Sequence, residues 1–167
     1  MSVEYTFKQG TLAGTTPQAS IQSIVEKVGP IASNKIILDV GSAEGHAINS
    51  FKTITSVDRA IGVEYVEKRH IEAVTNFPDC ELYNDDIENQ LDIVAEADII
   101  FMNNLLFPAE VFKAVFSSAK QGAIIIYNQI SNSWGLKLNH GYVKSDIEKI
   151  FVESNNLNSE YHIIVKK

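Results

Sequence analysis

Four short segments of this chain put small, acidic or amide side chains where a ligand could reach them. The first is Asp39-Val40-Gly41-Ser42-Ala43-Glu44-Gly45, with glycines spaced Gly-x-x-x-Gly. Small side chains let a ligand approach the backbone, Gly41 and Gly45 can take positive φ, and a helix opening beyond them offers unpaired N–H groups to an anionic or carboxylate-bearing ligand. The spacing is neither the Gly-x-Gly-x-x-Gly of dinucleotide enzymes nor a phosphate loop, and alone it is also what a purely structural strand-to-helix turn looks like. The second is Glu64, about 20 residues on, where an acid can accept hydrogen bonds from both hydroxyls of a ribose. Turn and acid together indicate an adenosine ligand. Third, Asp85-Asp86 can accept from an adenine amine or cap a helix beginning at Ile87. Fourth, in Asn103-Asn104-Leu105-Leu106-Phe107, the amide carbonyls can orient a nucleophilic amine without titrating, and Phe107 can exclude water.

These segments need strands to end where they begin, and the hydrophobic spacing supplies them. Thr16-Pro17 reads as the N-cap and first residue of a helix running to Val28. Strands are expected at Ile36–Val40, Ala60–Glu64, Glu81–Asp85, Asp98–Met102 and Ala123–Tyr127. Between them come helices at Val66–Asn76, with Ile71 and Val74 on the buried face, at Ile87–Ala95, and at Pro108–Ala119. Ser145-Asp146-Ile147-Glu148 is a capping-box pattern that predicts a last helix ending near Asn155-Asn156, and Tyr161–Val165 reads as a final strand. Strands separated by helices cannot be joined by hairpins, so the fold is expected to be α/β, doubly wound, with a mostly parallel sheet and helices on both faces. In that architecture ligands bind beyond the carboxyl ends of the strands, where the strand order reverses.

At 167 residues with 45% hydrophobic composition, residues 1–167 read as one domain without repeats or linkers. The lone Cys80 has no disulfide or zinc partner, which points to a reducing, intracellular setting, cytoplasmic or nuclear. No apolar run approaches the roughly 20 residues a membrane helix needs, and no secretion signal opens the chain. Acidic residues number 21 against 14 basic ones, for a net charge of −7, and only Arg59 and Arg69 carry guanidinium groups. That balance disfavours nucleic acid and suits a basic peptide or a small molecule.

The four strand ends resemble those of class I S-adenosylmethionine-dependent methyltransferases. More narrowly, Ala13-Gly14-Thr15-Thr16, Asp39-Val40-Gly41-Ser42, Gly62-Val63-Glu64 and the run Phe101 to Val111 resemble, in order and place, the catalytic core of the disruptor-of-telomeric-silencing family of histone lysine methyltransferases. The likeness covers about two thirds of the chain, and its specific element is Asn-Asn-x-x-Phe followed by Glu110-Val111. The resemblance implies a Rossmann-like fold and S-adenosylmethionine as cofactor. It implies that Thr15, Thr16, Asp39, Gly41 and Ser42 surround the methionine part, Glu64 the ribose and Asp86 the adenine, with Asn103 or Asn104 and Phe107 lining the methyl-transfer channel; Gly45, closing the turn, is read as cofactor-binding with them. Ala43 stands where that family has glycine, which suits a negative φ there.

The chemistry expected is in-line methyl transfer to an amine of a protein lysine or a small molecule, with placement as the main catalytic work. His46, His70 and His162 fall in elements where a structural role is expected, and His140 lies in the segment 128–143, whose Trp134, His140 and Tyr142 could form a lid or an acceptor pocket. Two other readings compete. One is a nucleic-acid amino-methyltransferase, since Asn104-x-x-Phe107 is similar to the Asn/Asp-Pro-Pro-Tyr/Phe element with Leu105-Leu106 replacing the prolines. The other is a non-catalytic S-adenosylmethionine-binding module.

Overall fold

A computed structural model describes residues 16–103, 107–129, 142–144, 150–154 and 157–167. Pro17, with φ at −60° and no N–H to leave unsatisfied, precedes helix α1 (Gln18–Val28), which Gly29 ends at φ 92°. Thr16 therefore lies one residue before the cap position. Five strands follow in parallel: β1 (Ile36–Val40), β2 (Arg59–Glu64), β3 (Glu81–Asn84), β4 (Ile99–Met102) and β5 (Ile124–Gln129). Helix α2 (His46–Thr55) links β1 to β2, and α3 (Glu67–Asn76) links β2 to β3. A 3-10 turn (Ile87–Asn89) and α4 (Leu91–Glu96) lead to β4, and α5 (Ala109–Ser118) to β5. The chain then adds β6 (Tyr142–Lys144), β7 (Ile150–Ser154) and β8 (Leu157–Lys166). The sheet order is β3-β2-β1-β4-β5-β8-β6, with β7 also on β8; β8 runs antiparallel to all three of its neighbours.

Alternate strand residues feed two cores, as a pleated strand buried on both faces requires. Leu38, Val40, Ile100, Met102 and Tyr127 pack with Val94 of α4 and with Val111, Phe112 and Val115 of α5. Ile37, Ile99, Phe101, Ile126 and Tyr161 pack on the opposite face with Ile21 and Ile24 of α1 and with Ile48 and Phe51 of α2. The expected doubly wound α/β fold is the one observed. Among the described residues no helix is long and apolar enough to cross a membrane.

Three expectations need correction. Ile71 and Val74 do not form the buried face of α3; they are 56% and 44% exposed, and Ala73 is the buried residue. A Cβ placed on Gly45 would come within 3.1 Å of Ala73 Cβ and 3.0 Å of Phe77 Cδ2, so a small-residue contact, not the bulkiest side chains, sets this helix's rotation. The helix expected from Ile87 to Ala95 is broken at Gln90, where φ is −118°. The last helix is replaced by a strand over Ile150–Ser154, which turns into β8 with Ser154 facing Leu157. The β-branched and aromatic run Ile150-Phe151-Val152 has the composition of a strand. The capping-box residues 145–149 lie outside the described residues, as do Thr15, Asn104, Trp134 and His140.

Candidate functional site

The chain runs outward from β1 to β3, then returns to β4 on the other flank of β1, so the strand order reverses between β1 and β4. A narrow cleft, partly open to solvent, sits at that point. Thr16, Asp39, Gly41, Ser42, Ala43, Glu44, His46, Ala47, Phe101 and Asn103 line it.

The turn after β1 is bolted to β2. The N–H groups of Gly41 and Ser42 donate to the Val63 carbonyl at 2.8 and 3.1 Å, and Gly45 N–H donates to the Ser42 carbonyl at 2.8 Å. Gly41 has φ 74°, and the Phe107 ring occupies the place a Cβ would take. Gly62 on β2 is equally constrained, since a Cβ there would meet Ser42 Oγ at 2.7 Å. Ala43 adopts φ 47°, against the negative value expected of it. Its N–H donates to Glu64 Oε2 at 2.7 Å, and Val66 N–H donates to Glu64 Oε1 at 2.9 Å. Glu64 thus ties the left-handed residue to the end of β2. An L side chain in this conformation costs about 1–2 kcal/mol, partly offset by the entropy a glycine would lose on folding. Ala43→Gly is expected to stabilise the protein by about 0.5–1 kcal/mol, a rise in melting temperature of roughly 1–4 °C in thermal unfolding.

Burial raises the pKa of Glu64, opposed by the two backbone N–H donors and Arg69 and reinforced by Glu44. The Arg69 guanidinium stands 3.9 Å from a carboxylate oxygen of each of Glu64 and Glu44. Asp39 is more extreme. It is 2% exposed, lines the cleft, and among the described residues nothing hydrogen-bonds to its carboxylate. Burial first, then the charge of Glu64, push its pKa up to about 8.

Reaching the same cleft is a largely buried polar cluster from four parts of the chain. Asn128 Nδ2 of β5 donates to Asn103 Oδ1 at 2.7 Å, and Asn103 Nδ2 lies 3.5 Å from Thr16 Oγ1. The Thr16 hydroxyl meets the Tyr161 hydroxyl of β8 at 2.6 Å. Tyr161 is also hydrogen-bonded to Asn128, its partner across the β5–β8 ladder. Burial raises the Tyr161 pKa, so it stays a neutral phenol.

The structure therefore gathers Thr16, Asp39, Gly41, Ser42 and Asn103 in one cleft. Gly45 caps α2 at φ 86° and seats it on α3. Asp85 N–H donates to the Glu64 carbonyl at 3.1 Å, which sets Asp85-Asp86 beside the ribose candidate. Asp86 caps the 3-10 turn by accepting from Glu88 N–H at 3.0 Å, and Asp85 accepts from Asp86 N–H, Asn89 and Gln90. Phe107 is buried under the turn in the α4–α5 core and is not among the cleft-lining residues. His46 lines the cleft, edge-on to Phe77 at 5.2 Å, and His162 stacks on Tyr127 at 5.4 Å. Asn128 and Tyr161 are not among the expected site residues. The signal for Asn128 is its place one residue past the expected end of the fifth strand; Tyr161 has none short of knowing the β5–β8 register.

No protein-family model matches the chain, and no curated protein matches it in sequence. Solved structures match its fold. TrmN from Thermus thermophilus superposes with a TM-score of 0.68 at 12% identity, over 90% of this chain and 48% of that one. The tRNA methyltransferase TrmK of Bacillus subtilis gives 0.65 at 16%, over 92% and 67%. A mutant of MtNAS in complex with S-adenosylmethionine gives 0.65 at 13%, over 89% and 62%. The chain thus spans about half the length of the TrmN chain it resembles.

Proposed function

We propose that this chain is an S-adenosylmethionine-dependent methyltransferase whose cleft between β1 and β4 receives the amino-acid end of the cofactor. One observation carries the reading. Asp39 is a buried carboxylate facing a cleft, with no hydrogen bond among the described residues. Such a group is costly unless a cation completes it, and the α-ammonium of the cofactor is a cation of the right size beside a turn of small residues. Thr15, Thr16, Gly41, Ser42 and Gly45 would surround the methionine part. Glu64 retains acceptor capacity beyond its two backbone donors for the ribose hydroxyls, and Asp86 would take the adenine amine. The fold likeness to a structure holding S-adenosylmethionine and to a tRNA methyltransferase supports the same reading.

When bound, S-adenosylmethionine supplies an electrophilic methyl group. The residues of the chain bind, orient and exclude water. Asp39 and the turn would fix the cofactor's amino-acid end and Glu64 its sugar, with Asn103 beside them at the end of β4. Phe107 acts indirectly, by seating Gly41.

The acceptor is read as an amine, of a protein lysine or a small molecule. A nucleobase amine is the second reading, favoured by the likeness to TrmK, and the net charge of −7 does not outweigh it. The histone-lysine resemblance has no counterpart among the three similar structures described above. Calorimetry with S-adenosylmethionine, S-adenosylhomocysteine and NAD tests the cofactor; binding of NAD alone overturns the proposal. Radiolabelled methyl transfer to basic proteins, RNA and DNA then separates the acceptors. Glu64→Gln is expected to weaken S-adenosylhomocysteine binding about 10- to 100-fold in the same titration, because a charge-assisted acceptor worth roughly 1.5–3 kcal/mol is lost.

A further inference from the structure

An asparagine at a cleft can show either its carbonyl or its N–H edge, and the two select opposite ligands. Here the choice is fixed from behind. Asn128 Nδ2 can only donate, and at 2.7 Å it claims Asn103 Oδ1. The Asn103 nitrogen is thereby turned toward Thr16 and the cleft, where its 3.5 Å contact with Thr16 Oγ1 is too long to satisfy an N–H. Asn128 is in turn held by Tyr161, which faces it across the β5–β8 ladder and also grips Thr16 at 2.6 Å. Neither Asn128 nor Tyr161 is among the residues lining the cleft, so neither meets the ligand.

We infer that Asn128 and Tyr161 are positioning residues that present the N–H edge of Asn103, beside Thr16, as the seat for the carboxylate of the cofactor's amino-acid end. The inference rests on the proposed function. It makes the cleft complementary to a zwitterion: a carboxylate from β1 for the ammonium, and a donor from β4 for the carboxylate. It also revises the expectation for Asn103, whose carbonyl is already engaged and is not the group that orients a methyl acceptor.

The test compares two ligands that differ in the amino-acid end alone among recognised parts. S-adenosylhomocysteine carries the ammonium and carboxylate; 5′-methylthioadenosine keeps the adenosine and sulfur and lacks both. Tyr161→Phe is expected to weaken S-adenosylhomocysteine about tenfold or more by calorimetry while 5′-methylthioadenosine changes less than about twofold. Asn128→Asp cannot donate to Asn103, so the amide turns over and the same selective loss is expected, larger than for Tyr161→Phe. It preserves side-chain volume and decides the matter if Tyr161→Phe folds poorly. Equal losses for both ligands, or none, overturn the positioning role. A folded wild-type protein that binds neither ligand overturns the proposed function itself.

Discussion

Asp39→Asn is expected to make the ligand-free protein more stable and the cofactor complex far weaker. In the native chain Asp39 keeps its proton up to about pH 8, whereas in the unfolded chain it loses it near pH 4. Between those values the native state binds more protons than the unfolded state, so this group lowers stability as pH rises, and the loss is complete above pH 8. The amide removes that slope. At pH 8 to 9 the variant should gain on the order of 2–4 kcal/mol, roughly 5–15 °C in melting temperature, and near pH 4 almost nothing. Binding moves the other way. An ammonium facing Asp39 requires the ionised form, so near pH 6.5 the wild-type protein should release close to one proton per cofactor bound. The variant has no proton to release there, and loss of a desolvated charge pair is expected to weaken binding about 100-fold or more. Calorimetry in buffers of different ionisation enthalpy reads both effects. A binding enthalpy independent of buffer would remove Asp39 from the ammonium site.

The second large effect is expected at Gly41. Alanine there must hold φ near 74° and must displace the Phe107 ring. The first requirement costs about 1–2 kcal/mol and the second about 1–3 kcal/mol, for a predicted loss of about 2–5 kcal/mol in denaturant unfolding. The two parts are separable. In Gly41→Ala combined with Phe107→Leu, the steric part should shrink while the backbone part remains, giving a coupling energy of about 1 kcal/mol or more in a double-mutant cycle. Strict additivity would mean that Phe107 does not seat the turn.

Four of the five parallel strands were legible because each carries a short apolar run ending at a glycine, acid or amide, and tertiary burial agrees with local pattern there; β3, Glu-Leu-Tyr-Asn, lies at the sheet edge and is only partly buried. The carboxyl-end residues Asp39, Glu64 and Asn103 followed from that. The C-terminal third was not. Ser145-Asp146-Ile147-Glu148 carries a local helix signal, yet Ile150–Ser154 pairs with β8, a partner no local spacing announces. Tyr161 joins the site for the same reason, through pairing with Asn128. The apolar bulk of Ile71 and Val74 stays exposed because the close approach of Ala73 to Gly45 sets the rotation of the helix, a contact that local spacing does not announce.

The reversal of strand order carries a cost in chain entropy. Neighbours within β1–β3 and within β4–β5 are joined by one helix-containing crossover each, whereas β1 meets β4 across a separation of 62 residues, the span between Ile36 and Asp98. Closing the longer loop is the more demanding step, so each half of the sheet can organise before the seam between them does. Asp39 stands on one side of that seam and Asn103 on the other. A molecule bridging the two would add its binding free energy to the seam, so occupancy of the crevice would be expected to raise the stability of the whole sheet.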